Sequence, residues 1–134
     1  RAAFRPLKTA ALASLIALAV AGAFAAGGNP APGGVISPEK AKALLESDSN
    51  VALLDVRTEG EFAAAHIEGA ILLPYDEITQ SSAARAIPSK QTVVIVYCRT
   101  GRRSAIAAQT LRGLGYKTVW DLGGIVSWPY GTVK

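Results

Sequence analysis

The residue of this sequence with the clearest potential for chemistry is its only cysteine, which has several arginines close to it. Cys98 lies in the stretch YCRTGRRS, where Arg99, Arg102 and Arg103 follow the sulfur within five positions. The thiolate is the nucleophilic form of cysteine, and nearby positive charge lowers the pKa of the thiol. This stretch therefore predicts a cysteine that is ionised and used in chemistry, rather than an inert side chain in an apolar core.

The segment from Cys98 to Arg103 is predicted to join a strand to a helix. The preceding run TVVIVY (92–97) is mostly β-branched and uncharged, whereas SAIAAQTLRGLG (104–115) has apolar residues at helical spacing and ends on Gly115, which is expected to cap the helix. A loop that curls around the sulfur would direct backbone N–H groups at it, beside the positive end of the helix. Gly101 suits the backbone angles of such a tight loop.

Strand and helix signals alternate along the rest of the chain, which predicts a three-layer α/β fold. We expect a central parallel sheet of about five strands, flanked by helices. Strands are predicted at 51–55, 70–74, 92–97 and 117–122, and helices at 36–47, 81–87 and 104–115. Thr58 and Glu61 have the spacing of a capping box at a further helix start. Sites in such sheets form at the carboxyl ends of strands, where Cys98 lies.

The first 25 residues have the pattern of a secretory signal peptide. Arg1, Arg5 and Lys8 form a basic start, and the small-residue site AFA (23–25) follows an apolar run. That run, at roughly 16 residues, is shorter than the roughly 20 that span a bilayer, which favours cleavage near Ala26 over a retained membrane anchor. We therefore expect a signal peptide (1–25), a flexible Gly- and Pro-rich lead-in (26–34) and a folded domain (35–134), exported to a bacterial periplasm.

The charge of the exported chain argues against a nucleic-acid partner. The net charge is +4, but residues 1–25 hold three of the 14 basic residues and none of the 10 acidic ones. Without them the net charge is +1, so no broad basic face is expected. A lone cysteine in an exported protein forms no internal disulfide, which leaves a reactive thiol or an intermolecular link.

Three motifs together resemble the rhodanese domains, which are single-domain sulfurtransferases. CRTGRRS (98–104) is similar to the C-x-x-G-x-R-S active-site loop of that family. LLDVRTEGEFAAAHIEGAILLP (53–74) is similar to its upstream signature, and GYKTVWDLGGIVSW (115–128) to its closing element. The motifs stand in the family's order and spacing across residues 35–129.

The resemblance implies sulfur transfer through a persulfide on Cys98. Its thiolate would take the outer sulfur of a small anionic donor such as thiosulfate, and cyanide or a thiol would accept that sulfur, with no metal or organic cofactor. The loop residues implied to hold sulfur and substrate are Arg99, Thr100, Gly101, Arg102, Arg103 and Ser104. Asp55 and Arg57, in the DVR motif, are expected to brace the edge of the site.

The expected roles of the remaining polar residues differ. Arg103 is expected to shape the loop, hold the anion and lower the pKa of Cys98. For Arg99 and Arg102 the sequence leaves two roles open, since each side chain could contact the substrate or face solvent. Glu61 is expected to cap its helix or pair with a loop arginine. Some members of the family have a basic residue here, so this acid reduces the expected affinity for thiosulfate. Residues expected to be structural are His66, Trp120 and Trp128.

Three alternatives remain for the function. Phosphatases of the same architecture place an arginine after five residues that follow the cysteine, but here Arg103 comes after four, and the shorter loop favours a sulfur atom over a phosphoryl group. A second alternative is a non-catalytic binding module of the same family, although such modules usually lack the cysteine. The third is a domain that delivers persulfide sulfur to a protein partner.

Overall fold

The computed structural model describes residues 33–47 and 50–134. The predicted signal peptide, its cleavage site near Ala26 and residues 26–32 of the predicted lead-in lie outside the described residues. Within the described ranges, no helix is both long enough and apolar enough to cross a membrane.

Helices and strands alternate through the described chain, and every strand pair is parallel. In chain order the elements are α1 (Pro38–Ser47), β1 (Val51–Asp55), α2 (Glu59–Ala64), β2 (Ile71–Leu72), α3 (Gln80–Ala86), β3 (Val93–Cys98), α4 (Arg102–Gly113) and β4 (Thr118–Gly124). The sheet order is β2-β1-β3-β4, so β3 lies between two partners. The predicted parallel α/β architecture is thereby confirmed.

The sheet of the described residues has four strands, where about five were expected. Beside β4, the place of a fifth strand holds a single parallel bridge between Val35 and Asp121. Strand β2 is also shorter than the predicted 70–74. Backbone bonds continue past its end, from the Leu73 N–H to the Asp55 carbonyl oxygen at 2.9 Å and from the Tyr75 N–H to the Val56 carbonyl oxygen at 3.0 Å, but a 3₁₀ turn begins at Tyr75.

Two apolar layers enclose the sheet, because alternate strand residues point to opposite faces. On one face, strand residues including Val94, Val96 and Cys98 pack with buried residues of α3 and α4. On the other face, Ile95 and Tyr97 pack in a cluster that includes Ala41 of α1. Burial of both faces explains why β1 and β3 are continuous apolar runs.

The helix ends follow local sequence signals, and the observed bounds lie within two residues of the predicted ones. The Thr58–Glu61 capping box is present at α2, and Gly115 has φ +98° just after α4, as predicted. Helix α4 begins at Arg102, however, two residues before the predicted start at 104. Gly101 makes the earlier start possible, since its φ of +117° turns the chain directly from the loop into the helix.

Candidate active site

Cys98 is the last residue of β3 and lies at the carboxyl edge of the sheet. Its neighbours β1 and β4 hold the strand on both sides, with Cys98 in register with Gly124 of β4. The residue is only 1% exposed and is the free cysteine of the chain. Helix α4 begins four residues after it, at Arg102, so the sulfur sits where the backbone N–H groups of the first helical turn have no partner within the helix.

Hydrogen-bond donors converge on the sulfur from the loop and the helix start. The Gly101 N–H donates to Sγ of Cys98 at 3.0 Å. Burial raises the pKa of the Cys98 thiol, but hydrogen bonds from the Ser104 hydroxyl and from the N–H groups of Ser104, Gly101 and Thr100 outweigh it and lower the pKa below its ordinary value. The Gly101 N–H thus lies where the N–H cradle was predicted, and these donors favour the thiolate.

The Ser104 hydroxyl has two acceptors for its single proton. Ser104 is fully buried, and its hydroxyl donates to the Gly101 carbonyl oxygen at 3.0 Å while it also serves as a donor to the sulfur. Hydrogen bonds to an ionised acceptor are the stronger ones. An ionised Cys98 is therefore the stronger of the two acceptors for this proton.

Glycines of β4 determine how closely the loop approaches the sheet. A Cβ atom on Gly124 would lie 2.4 Å from the Arg99 carbonyl oxygen and 2.8 Å from the Thr100 Cα, so no larger residue fits without moving the loop. The Val126 N–H also donates to the Arg99 carbonyl oxygen at 3.4 Å. Gly123 and Gly124 belong to the closing motif GYKTVWDLGGIVSW (115–128), but the residues of that motif do not by themselves indicate a contact with the cysteine loop.

The guanidinium of Arg103 is held by Glu61 of α2. Two hydrogen bonds join them, Nη1 to Oε1 at 2.7 Å and Nη2 to Oε2 at 3.0 Å. The Arg103 side chain, followed by the Thr58 N–H and hydroxyl, lowers the pKa of Glu61 to about 2 although partial burial opposes this. Arg103 therefore braces α4 against α2, and its charge is paired rather than presented free to an anion.

The other two loop arginines, Arg99 and Arg102, are exposed, and no carboxylate of the described residues forms an ion pair with either. Arg99 lines a cleft beside the loop together with Arg57 and Glu61. Thr100 is exposed too, and it is the backbone N–H of this residue that lowers the pKa of Cys98.

Asp55 and Arg57 form a buried network at the end of β1. The Arg57 Nε donates to Asp55 Oδ1 at 2.9 Å and its Nη2 to Oδ2 at 2.6 Å, while Nη2 also donates to the Ala65 carbonyl oxygen at 2.6 Å. The Tyr97 hydroxyl donates to Asp55 Oδ2 at 2.7 Å and accepts from the Ile67 N–H at 3.0 Å. This network fixes the carboxyl ends of β1 and β3 relative to each other, one residue before Cys98.

His66 lies among structural partners. Its Nδ1 is 2.8 Å from the Phe62 carbonyl oxygen, and its ring stacks on the Phe62 ring at 3.8 Å between centroids. Trp120 and Trp128 are half-buried against the core. Among the described residues, no group of three His, Cys, Asp or Glu side chains is arranged to hold a metal ion.

Comparison with known proteins identifies close similarities. The family model of the rhodanese-like domain matches residues 37–129. Probable adenylyltransferase/sulfurtransferase MoeZ of Mycobacterium tuberculosis is 37% identical over 99 residues, covering 73% of this chain and 25% of MoeZ. Thiosulfate sulfurtransferase PspE of Escherichia coli is 38% identical over 72 residues, covering 54% of this chain and 68% of PspE. The structure of the human single-domain sulfurtransferase TSTD1 matches with a TM-score of 0.63 at 26% identity, over 74% of this chain and 96% of that protein. This chain thus spans a quarter of the length of MoeZ but nearly all of TSTD1.

Proposed function

Because this chain belongs to the rhodanese-like domain family, we propose that it is a sulfurtransferase that moves sulfane sulfur through a persulfide on Cys98. The observation that supports this most directly is the set of donors around a lone thiol at the start of α4. These donors favour the thiolate, which is the attacking form. They are fixed by the backbone before any substrate arrives, as effective electrostatic stabilisation requires.

The first half-reaction loads the sulfur. The Cys98 thiolate attacks the outer sulfur of a donor such as thiosulfate, the sulfur–sulfur bond of the donor breaks, and sulfite leaves with the electron pair. The product is Cys98–S–S⁻. Its negative charge is stabilised by the same N–H groups of Thr100, Gly101 and Ser104 that favoured the thiolate.

The second half-reaction transfers the outer sulfur of the persulfide to an acceptor. An acceptor nucleophile, cyanide or a thiolate, attacks the outer sulfur of the persulfide, and the Cys98 thiolate is released as the leaving group. With cyanide the product is thiocyanate. Because the enzyme alternates between two covalent forms, ping-pong kinetics are expected.

Intact mass spectrometry after incubation with thiosulfate tests the proposal. We expect the wild-type protein to gain the mass of one sulfur atom and to lose it on addition of cyanide, with thiocyanate formed in equal amount. Cys98→Ser is the matched control and should gain nothing. A wild-type protein that gains no sulfur from thiosulfate, and forms no thiocyanate, would refute the proposal.

We also propose that the protein works after export, on the strength of the basic start, apolar run and small-residue site in residues 1–25. N-terminal sequencing of the protein recovered from the periplasm of an expressing bacterium should then begin near Ala26. Recovery of the chain in the cytoplasm with Arg1 still present would contradict the proposal.

A further inference from the structure

Residues 34–36 form a short extended segment at the outer edge of the sheet, beside β4. The Ile36 N–H donates to the Asp121 carbonyl oxygen at 2.9 Å, and the Asp121 N–H donates to the Gly34 carbonyl oxygen at 2.9 Å. In a parallel ladder, the residue between two such bonds directs its own N–H and C=O to the opposite side. The N–H and C=O of Val35 therefore point away from β4, and neither forms a hydrogen bond within the described residues.

An open sheet edge of this kind is a template for one more strand. A single residue of an antiparallel strand can satisfy both backbone groups of Val35, because the residues of such a pair exchange both N–H···O=C bonds. Residues paired across a sheet share a face, and their neighbours along the strand lie on the other face. Strand β4 separates this edge from β3, which bears Cys98, so an added strand would not contact β3.

On the face of the sheet that α1 covers, an apolar groove of about 480 Å³ adjoins this edge. Ile36, Leu44 and Trp120 belong to the core cluster of that face and also line the groove. The other residues that line it are Val35, Lys40, Ala43, Ser47 and Val93. This α1 groove has room for apolar side chains, whose burial there would remove apolar surface from water.

On the face that α4 covers, a smaller cleft of about 170 Å³ adjoins the same edge. The side chains of α4 and β4 that line this α4 cleft are Ala105, Ala108, Gln109, Arg112 and Asp121. Val35 is in register with Asp121, so a residue paired with Val35 would have its side chain on this face.

The charged residues that line the α1 groove and the α4 cleft have a surplus of one positive charge. The cations are Lys40 and Arg112, and the carboxylate is Asp121. Neither cation forms an ion pair with a carboxylate in the described part of the chain. Asp121 Oδ1 accepts the Gly123 N–H at 2.9 Å. An acidic side chain added on the α4 face would therefore meet an arginine that lacks a carboxylate partner.

We propose that residues 34–36 bind an extended segment of a partner protein as an added antiparallel strand. The segment has an acidic residue opposite Val35 and an apolar residue on each side of it. The acidic side chain lies in the α4 cleft with Arg112, and both apolar side chains enter the α1 groove. Backbone bonds supply affinity and the two clefts supply specificity, as in other cases of strand addition. This binding site is separate from the proposed sulfur transfer and leaves Cys98 free to react.

Binding of labelled peptides to the whole chain, measured by fluorescence anisotropy, tests the proposal. The probe is Ser-Leu-Glu-Leu-Ser with blocked ends and a neutral dye. N-methylation of its glutamate removes the N–H that would donate to the Val35 carbonyl oxygen, so affinity should fall by about fivefold or more. N-methylation of the second leucine is the matched control, since that N–H points away from Val35 and affinity should be retained.

Changes of side chains in the peptide test the two faces. Ser-Glu-Leu-Glu-Ser should bind about tenfold more weakly, because its two acids would enter the apolar groove. Replacement of the central glutamate of the probe by glutamine should weaken binding about threefold, and this difference should shrink as salt is added.

Two variants of the protein test the location. Ala43→Glu places a charge in the α1 groove at an exposed position and should weaken binding of the probe. Ala84→Glu, at an exposed alanine of α3, is the matched control and should bind as wild type does. Both variants should form thiocyanate at the wild-type rate, since neither residue lies in the cysteine loop.

Three results would overturn the proposal without bearing on sulfur transfer. The first is an absence of binding at millimolar concentrations of the probe. The second is equal affinity for the two N-methylated peptides, which would indicate apolar contact without strand addition. The third is a dimer in analytical ultracentrifugation that Ala43→Glu dissociates, which would assign this edge to a second copy of the chain.

Discussion

Glu61 and Arg103, which are 42 residues apart in the sequence, form a two-point ion pair that joins the start of α2 to the start of α4. The pair lies at the rim of the cysteine loop and is partly exposed, with 29% and 20% of the two side chains accessible. Helix α4 supplies donors to the sulfur, so this pair positions the site through the helix, and both hydrogen bonds of the Arg103 guanidinium go to Glu61. Its effect on folding stability and its effect on the pKa of Cys98 are therefore best measured separately.

Glu61→Gln should reduce the amount of folding stability that is lost when the pH is lowered into the acid range. The pKa of Glu61 is lowered from 4.5 to about 2 in the folded protein, so its stabilising contribution is complete above pH 4.5 and is lost as the pH falls towards 2. Because the pair is partly exposed, we expect a contribution of at most about 1 kcal/mol. Urea unfolding at pH 7 and pH 3 would measure it. A variant with the same difference between the two pH values as wild type would contradict this assignment.

Ser104→Ala should raise the pKa of Cys98, because the variant loses a hydroxyl donor to the thiolate. The pH midpoint of alkylation by iodoacetamide should move upward, and sulfur transfer at neutral pH should fall by about tenfold or more. Arg103→Ala is also expected to raise the midpoint, but by less, since Glu61 already pairs with that charge. Ser81→Ala, at an exposed serine of α3, is the control. An unchanged midpoint in Ser104→Ala would show that the hydroxyl does not act on the sulfur.

Gly124→Ala should disturb the cysteine loop more than it disturbs the fold. The added methyl group would lie 2.4 Å from the Arg99 carbonyl oxygen, so the loop must move away from β4. We expect sulfur transfer to fall by about 10²-fold, since displaced donors no longer converge on the sulfur. Gly113→Ala is the matched control, because a Cβ there meets nothing within 4 Å and alanine suits a helix better. Equal activity in both variants would argue against a loop held by this contact.

Tyr97→Phe should lower the free energy of unfolding by about 1–3 kcal/mol, because it leaves the buried Ile67 N–H without its acceptor. Asp55 also loses one donor but keeps those of Arg57. Chemical denaturation of the variant measures the cost, with Tyr130→Phe, at a 43% exposed tyrosine, as control. Equal stability of the two variants would show that the network contributes little to the fold.

Insertion of one glycine between Arg102 and Arg103 should abolish most sulfur transfer. The insertion moves Ser104 away from Thr100 and Gly101, so the donors to the sulfur are divided, and each lost donor is typically worth about 10²–10³ in rate. Initial rates of thiocyanate formation and of aryl phosphate hydrolysis are compared in both proteins, because the longer loop has the phosphatase spacing. We expect negligible phosphatase activity in wild type. An insertion variant that forms thiocyanate at the wild-type rate would refute the argument from loop size.

Sequence reasoning succeeds here where the signal is local. The apolar runs of β1 and β3 and the Thr58–Glu61 capping box depend on neighbours a few residues apart, and each is observed. The same holds for the donors around Cys98, since loop and helix start are contiguous in the chain.

Contacts between distant segments were less predictable. The sequence offered three arginines to Glu61, and only the folded structure shows that Arg103 is its partner. Likewise, the role of Gly124 depends on a backbone approach between β4 and the loop, which leaves no pattern in either segment alone. The apolar run 70–74 likewise predicted a longer strand than the observed β2, because nothing in the run marks the 3₁₀ turn that begins at Tyr75.

The near-complete burial of Cys98 gives the two proposed half-reactions different steric demands. The strand that bears the thiol is held on both sides, so a reagent must come to the sulfur and not the reverse. Loading requires the donor sulfur to reach an atom that the protein covers almost completely, which favours a slender donor over a bulky one. Unloading requires the acceptor to reach only the added outer sulfur, which lies one bond length beyond Sγ. The burial of one side chain would in this way favour slender reagents when Cys98 is a free thiol and would also allow larger reagents when Cys98 carries the persulfide.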